Sequence, residues 1–136
     1  MAITKSLYSE ARKLLFTNRF DSGSFVYAAQ LLGQAYTFDS SHTTRADIAG
    51  AIVGLPAILT SKTITRSSAV ITLDCADIDT TAQGALDAAY CVIHLMNTGS
   101  PLSTDKLIMF FNLNENKIVS VNSPLVVADD GLIKVS

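Results

Sequence analysis

The chain has 136 residues, 49% of them hydrophobic and only 16% charged, with a formal net charge of −2. That length suits one domain with a core of its own, and the charged share falls well below the roughly 25% of an ordinary soluble protein. Lys and Arg are scattered rather than run together, which excludes a phosphate-neutralising stripe and with it the electrostatic footprint of a nucleic-acid binder.

A surface this poor in charge leaves apolar area to be covered, which favours oligomerisation or docking onto a larger assembly. The first residues, MAIT, lack the charged and apolar regions of a signal peptide, so synthesis in a cytosol without export is expected. The longest apolar run, AGAIVGLPAIL at 49–59, is interrupted by Gly50, Gly54 and Pro56 and is too short to cross a bilayer. No membrane partner is expected. Cys75 and Cys91 form no CxxC and have no His at zinc-finger spacing; packed, reduced thiols are the expectation.

In chain order, Leu7, Ala11, Leu14 and Leu15 recur at helical spacing, with Thr4 as N-cap and Asn18 as a left-handed stop. A helix over 4–16 follows. FDSGSF then carries turn chemistry at Asp21-Ser22-Gly23. FVYAAQLL reads as a strand buried on both faces, and a helix over 45–53 is a further expectation. KTITRSSAVITLD suits strands with one wet face, and AAYCVIHLMN alternates Ala89, Cys91, Ile93 and Leu95 against Tyr90, Val92, His94 and Met96. DKLIMFFNLN follows, with 113–117 as a hairpin connection into KIVSVN. Asp130-Gly131 closes a last hairpin in PLVVADDGLIKVS. Short strands between turn signals predict a mainly β fold, an antiparallel β-sandwich or barrel with a short N-terminal α-helix. The division is a helical arm over residues 1–20 and a sandwich domain over 21–136.

Chemistry has few candidates. Asp39, His42 and Asp47 could offer an imidazole and two carboxylates to a divalent ion. Their spacing matches no closed metal site, and Ser40, Ser41, Thr43 and Thr44 around them describe a polar loop bonded to its own backbone. Ser22 and Ser24 lack a nucleophile elbow. Cys91 and His94, three apart on a strand, face opposite ways and cannot pair for catalysis. DCADID lacks the glycine and glutamate of a calcium loop. His94 reads as a partly packed histidine. No catalytic residue, cofactor or bound metal is expected.

Four blocks taken in order resemble a family of small bacteriophage virion proteins. FDSGSFVYAAQLLGQAYTFDSSHTTRADIAG is similar to that family's opening block, a strand ending in LL before a YTFD…H…DI loop. TSKTITRSSAVITLDCADIDTT, ALDAAYCVIHLMNTGSPLSTDKLIMFFNL and the terminal ADDGLIKVS resemble the blocks that follow. The resemblance spans roughly 20–136, with departures at Met96-Asn97 and Met109-Phe110-Phe111. It places Asp39 to Asp47 in a loop after the first strand.

The resemblance implies a non-enzymatic virion protein on the outside of the head, cementing or decorating the lattice of the major capsid protein. Its partners would be that capsid protein and copies of itself, with a trimer expected. Interface anchors are expected at Ile3, Leu7, Tyr8, Leu14 and Phe16 of the arm and at Phe110 and Phe111 of the aromatic strand. A tail, neck or fibre component is the alternative. A small metal-dependent hydrolase using Asp39 and His42 is the alternative of another class.

Overall fold

The protein is seen in a computed structural model that describes residues 4–9, 11, 26–67, 70–79, 84–96, 100–121, 125 and 133–135. Its strands are β1 (Thr4–Leu7), β2 (Val26–Leu32), β3 (Ile52–Ile58), β4 (Thr63–Ser67), β5 (Val70–Asp74), β6 (Leu86–Ala88), β7 (Tyr90–Met96), β8 (Lys106–Asn112), β9 (Val119–Val121) and β10 (Ile133–Val135). A 3-10 helix, Arg45–Ala51, precedes β3. Among the described residues the strands form a five-stranded sheet in the order β1-β8-β7-β2-β3, a three-stranded sheet β10-β5-β4 and the pair β6-β9. Every pairing among these described strands is antiparallel. The expected β-rich, sandwich-like class is the one observed.

The large sheet is the centre of the molecule, and both of its faces are covered. β2 is buried from Tyr27 to Leu32 and β7 along its whole length, as their mostly apolar composition, interrupted only by Gln30 and His94, predicts. Successive side chains point to opposite faces. Tyr27, Ala29, Leu31, Cys91, Ile93 and Leu95 therefore share one face, where they cluster with Leu73, Cys75, Ile78, Ala88 and Val121 of the smaller sheets and their loops. Leu32, Tyr90 and Val92 share the other, where they meet Tyr36 and Ile48 of the segment between β2 and β3. Both cysteines are buried and unbridged. Burial pushes the Cys91 thiol up to about 12.

Two irregularities shape the sheet. Ile93 pairs with Met109 but His94 with Leu107, so Ile108 is an extra residue on β8. Ala29 pairs with Ala57 but Leu31 with Val53, which leaves Gln30 facing a three-residue excursion at 54–56. That excursion contains Gly54 at φ 69°, a left-handed backbone suited to glycine. Pro56, lacking an N–H, sits on what is an edge strand among the described residues.

Three expectations need correction. Residues 4–7 are strand β1, not the first turn of a helix: Thr4 to Leu7 pair with Asn112 to Met109. The outer backbone groups of β8 need partners, and that requirement outweighs the helical spacing of Leu7 and Ala11. Helical backbone is found at Ser9 and Ala11, while Leu14, Phe16 and Asn18 lie outside the described residues. The start of the arm is thus part of the main sheet, and the 20/21 boundary does not detach it. Residues 113–117 do turn, with Glu115 and Asn116 at positive φ, but they do not close a hairpin on β8. β9 instead pairs with β6 in the other layer. Finally, the helix expected over 45–53 is a 3-10 helix that stops at Ala51, and the apolar run at 52–58, broken by Gly54 and Pro56, is strand β3. The Asp130-Gly131 turn lies outside the described residues, and β10 pairs with β5.

Burial on both faces sets a stability contrast between neighbouring strands. Leu31→Ala, in fully packed surroundings, is expected to cost about 2–5 kcal/mol in urea unfolding. Ile58→Ala, at a site 52% exposed, should cost under about 0.5 kcal/mol. Equal losses at the two sites would contradict the layered arrangement.

Candidate functional site: a polar cluster under the 36–51 segment

Residues 36–51 leave β2, cross the end of β8 and return as β3. Their path is fixed by backbone bonds to the sheet. Leu107 N–H donates to Thr43 O at 2.9 Å, Arg45 N–H to Asp105 O at 2.8 Å, and Ala46 N–H to Ser103 O at 3.0 Å. β1 covers the outer edge of β8 from Met109 to Asn112, and residues 43–45 continue that cover past Leu107. β8 is thereby an inner strand.

The polar residues of the 39–47 loop build the segment itself. Asp39 Oδ1 accepts from Ser41 N–H at 2.8 Å and from Ser41 Oγ–H at 2.6 Å. Asp47 Oδ2 accepts from the N–H groups of Thr43 at 2.9 Å and Thr44 at 3.1 Å, at the start of the 3-10 helix. These bonds hold both carboxyls below the ordinary aspartate value, Asp39 through the Ser41 side chain first and Asp47 through the Thr43 N–H first. His42 Nδ1 lies 2.9 Å from the Tyr36 hydroxyl, which in turn lies 2.7 Å from the Tyr8 hydroxyl. Among the described residues, no three His, Cys, Asp or Glu side chains converge as a metal site would need. Asp39, His42 and Asp47 each serve a different local bond.

Under one end of the segment lies an aromatic cluster. Phe38 stacks on Phe110 at 4.9 Å between centroids, Tyr90 approaches Phe110 at 5.1 Å, and Tyr8 approaches Phe38 at 5.2 Å. Burial, and then the bond to Tyr36, drive the Tyr8 phenol far above its ordinary value. Two of the expected interface anchors are therefore interior groups: Tyr8 and Phe110 are buried in this cluster. Leu7 and Phe111 are partly buried and pack on the opposite face of the same sheet. Aromatic and aliphatic composition marks core and interface alike, and here the fold uses these four for itself. Ile3, Leu14 and Phe16 lie outside the described residues.

Under the other end lies a cluster that no local motif announces. Gln30, His94 and Asp105 are each 0% exposed, and Arg45 reaches them from the first position of the 3-10 helix. Arg45 Nη2 donates to Gln30 Oε1 at 2.9 Å. Gln30 Nε2 donates to Val53 O at 3.0 Å and Gly54 O at 3.1 Å, carbonyls that the excursion in β3 removes from the strand ladder. Asp105 Oδ2 accepts from Leu102 N–H at 3.1 Å and stands 3.2 Å from His94 Nδ1. This last contact is an electrostatic approach without hydrogen-bond geometry: both His94 ring nitrogens, Asp105 Oδ1 and Arg45 Nε are buried with no hydrogen bond among the described residues. Burial first, then the neighbouring guanidinium, push His94 down to about 4. Burial raises Asp105, with the Leu102 N–H and Arg45 opposing the rise. Near neutral pH the His94 imidazole is therefore neutral, with the Asp105 carboxyl beside it and the Arg45 guanidinium bonded to Gln30.

The chemistry available to this arrangement is positional. Cys91 points to the opposite face, so it cannot be activated by His94. Gln30 and His94 were the clues in the sequence: each is a polar residue inside an apolar strand, and parity places both on the face that the segment covers.

Removing the Tyr36 hydroxyl strands the buried Tyr8 hydroxyl, so Tyr36→Phe should cost about 1–3 kcal/mol in urea unfolding. His42→Ala should cost less, since Tyr36 keeps its bond to Tyr8. Stoichiometric zinc or manganese in the purified protein, lost in His42→Ala, would contradict this account of the loop.

No protein-family model matches the chain, nor does any curated protein or solved structure.

Proposed function

We propose that the protein is a non-enzymatic bacteriophage virion protein that binds the outside of the head and cements or decorates the major capsid protein lattice. The four ordered blocks of resemblance support the family. The observation that carries the docking part is the placement of exposed apolar side chains: Leu55 is 66% and Ile58 52% exposed, both on β3, an edge strand among the described residues. A chain with so few charges presents these residues where a partner can cover them. They replace Tyr8 and Phe110 as anchors, since those two are committed to the interior. A binding partner that contacts only the assembled shell stabilises it by its own binding free energy. Self-association, with a trimer as the simplest closed form at three-fold sites, would multiply that effect. Among the described residues no helix is long and apolar enough to cross a membrane.

Labelling of an epitope tag on intact particles tests the location: label over the head surface supports the proposal, and label confined to the tail or neck refutes it. Leu55→Asp with Ile58→Asp should keep the circular dichroism spectrum of a β protein. The same variant should lose particle occupancy by at least tenfold, since two buried apolar side chains contribute about 1.5–3 kcal/mol each. Unchanged occupancy would place the contact elsewhere.

A further inference from the structure

We infer that Arg45, His94 and Asp105 form a binding site for an internal water, which joins the covering segment to the sheet through Arg45 Nε–H and Asp105 Oδ1. The site begins at the backbone. Thr44 and Lys106 form an antiparallel bridge, and Arg45 N–H donates to Asp105 O at 2.8 Å. Arg45 and Asp105 therefore stand opposite one another, a placement that sets Cβ atoms about 4.5–5.5 Å apart. A guanidinium and a carboxylate so placed would ordinarily meet in a two-pronged ion pair.

Here each turns to another partner. Arg45 extends from beside β8, past β7, to Gln30 on β2, where its Nη2 donates to Oε1 at 2.9 Å. Asp105 Oδ2 accepts from Leu102 N–H at 3.1 Å and lies 3.2 Å from His94 Nδ1. Each group has committed one prong and kept the other. Arg45 Nε and Asp105 Oδ1 are both buried without a hydrogen bond among the described residues, and so are both ring nitrogens of His94. His94 belongs to the same place: β7 runs between β8 and β2, and His94 pairs with Leu107 on one side and Ala28 on the other.

These orphaned atoms select the ligand. Asp105 Oδ1 repels an anion. The Arg45 guanidinium repels a metal ion, and the described residues bring no third His, Cys, Asp or Glu side chain to hold one. The occupant has to accept from Arg45 Nε–H, donate to Asp105 Oδ1, and answer a His94 ring nitrogen in whichever role its tautomer requires. Water does all three, and about three bonds is what a buried water typically makes. A buried donor and acceptor left unpaired would each carry a full desolvation penalty, whereas a bridging water serves groups that do not touch. The segment is then fastened twice at Arg45, directly to Gln30 and through water to Asp105.

Nuclear Overhauser spectroscopy on the native full chain tests the site. The Arg45 Nε–H and the His94 ring protons should give direct cross-peaks to a long-lived water, told from proton exchange by their sign in the rotating frame. Replacing both arms by apolar groups, Arg45→Met with Asp105→Leu, should remove one long-lived water from the magnetic relaxation dispersion of the protein. If that variant does not fold, a crystal structure of the native chain decides: a water about 2.7–3.2 Å from both Arg45 Nε and Asp105 Oδ1 supports the site. Missing cross-peaks, an unchanged count of long-lived waters in the folded double variant, or a direct Arg45–Asp105 ion pair in the crystal would each overturn it.

Discussion

The two-sided burial of the β2–β7 pair is the constraint on which everything else depends. A sheet that is apolar on both faces must be covered twice. The smaller sheets cover one face, and among the described residues it is 36–51, with Tyr8, that cover the other. Without that segment, Leu32, Tyr90, Val92, Leu107 and Phe110 would face water, a loss on the order of 1.5–3 kcal/mol for each large side chain. The same segment completes the outer edge of β8 where β1 ends. One stretch of chain thus seals both a face and an edge.

Covering the face with an apolar layer alone would leave other groups unsatisfied. The excursion in β3 frees the carbonyls of Val53 and Gly54, and Gln30 is the side chain that meets them. Its remaining oxygen then needs a donor, which Arg45 supplies. A partly buried guanidinium in turn calls for a carboxylate nearby, and Asp105, which stands against His94, feels its charge. Each buried polar group calls for the next. The chain of demands starts at a backbone irregularity and ends at the segment that covers it. It also connects the interior to the surface, because the same excursion carries Leu55 out to solvent on β3.

Much of the sheet was legible in the sequence. VYAAQLL and YCVIHLM are apolar on both parities, which a doubly buried strand requires, and DKLIMFFN continues the pattern. β1 was not legible, because Leu7 and Ala11 fit a helix and the decisive partner, β8, lies about a hundred residues away in sequence. β3 was hidden by Gly54 and Pro56, which normally argue against a strand and here mark its excursion. The polar cluster draws one residue each from β2, the 3-10 helix, β7 and the loop before β8, so no window of sequence contains it. The loop chemistry of Asp39 and Asp47 was readable because it is local, each aspartate bonding backbone within a few residues.

The central claim is that the segment is fastened to the sheet by coupled buried charges rather than by its apolar contact alone. A double-mutant cycle on Arg45→Met and Asp105→Asn, read by urea unfolding, tests it most directly. The account predicts a coupling energy of about 0.5–3 kcal/mol between the two substitutions. Losses that add to within about 0.3–0.5 kcal/mol would show that the two charges act independently, and would contradict it.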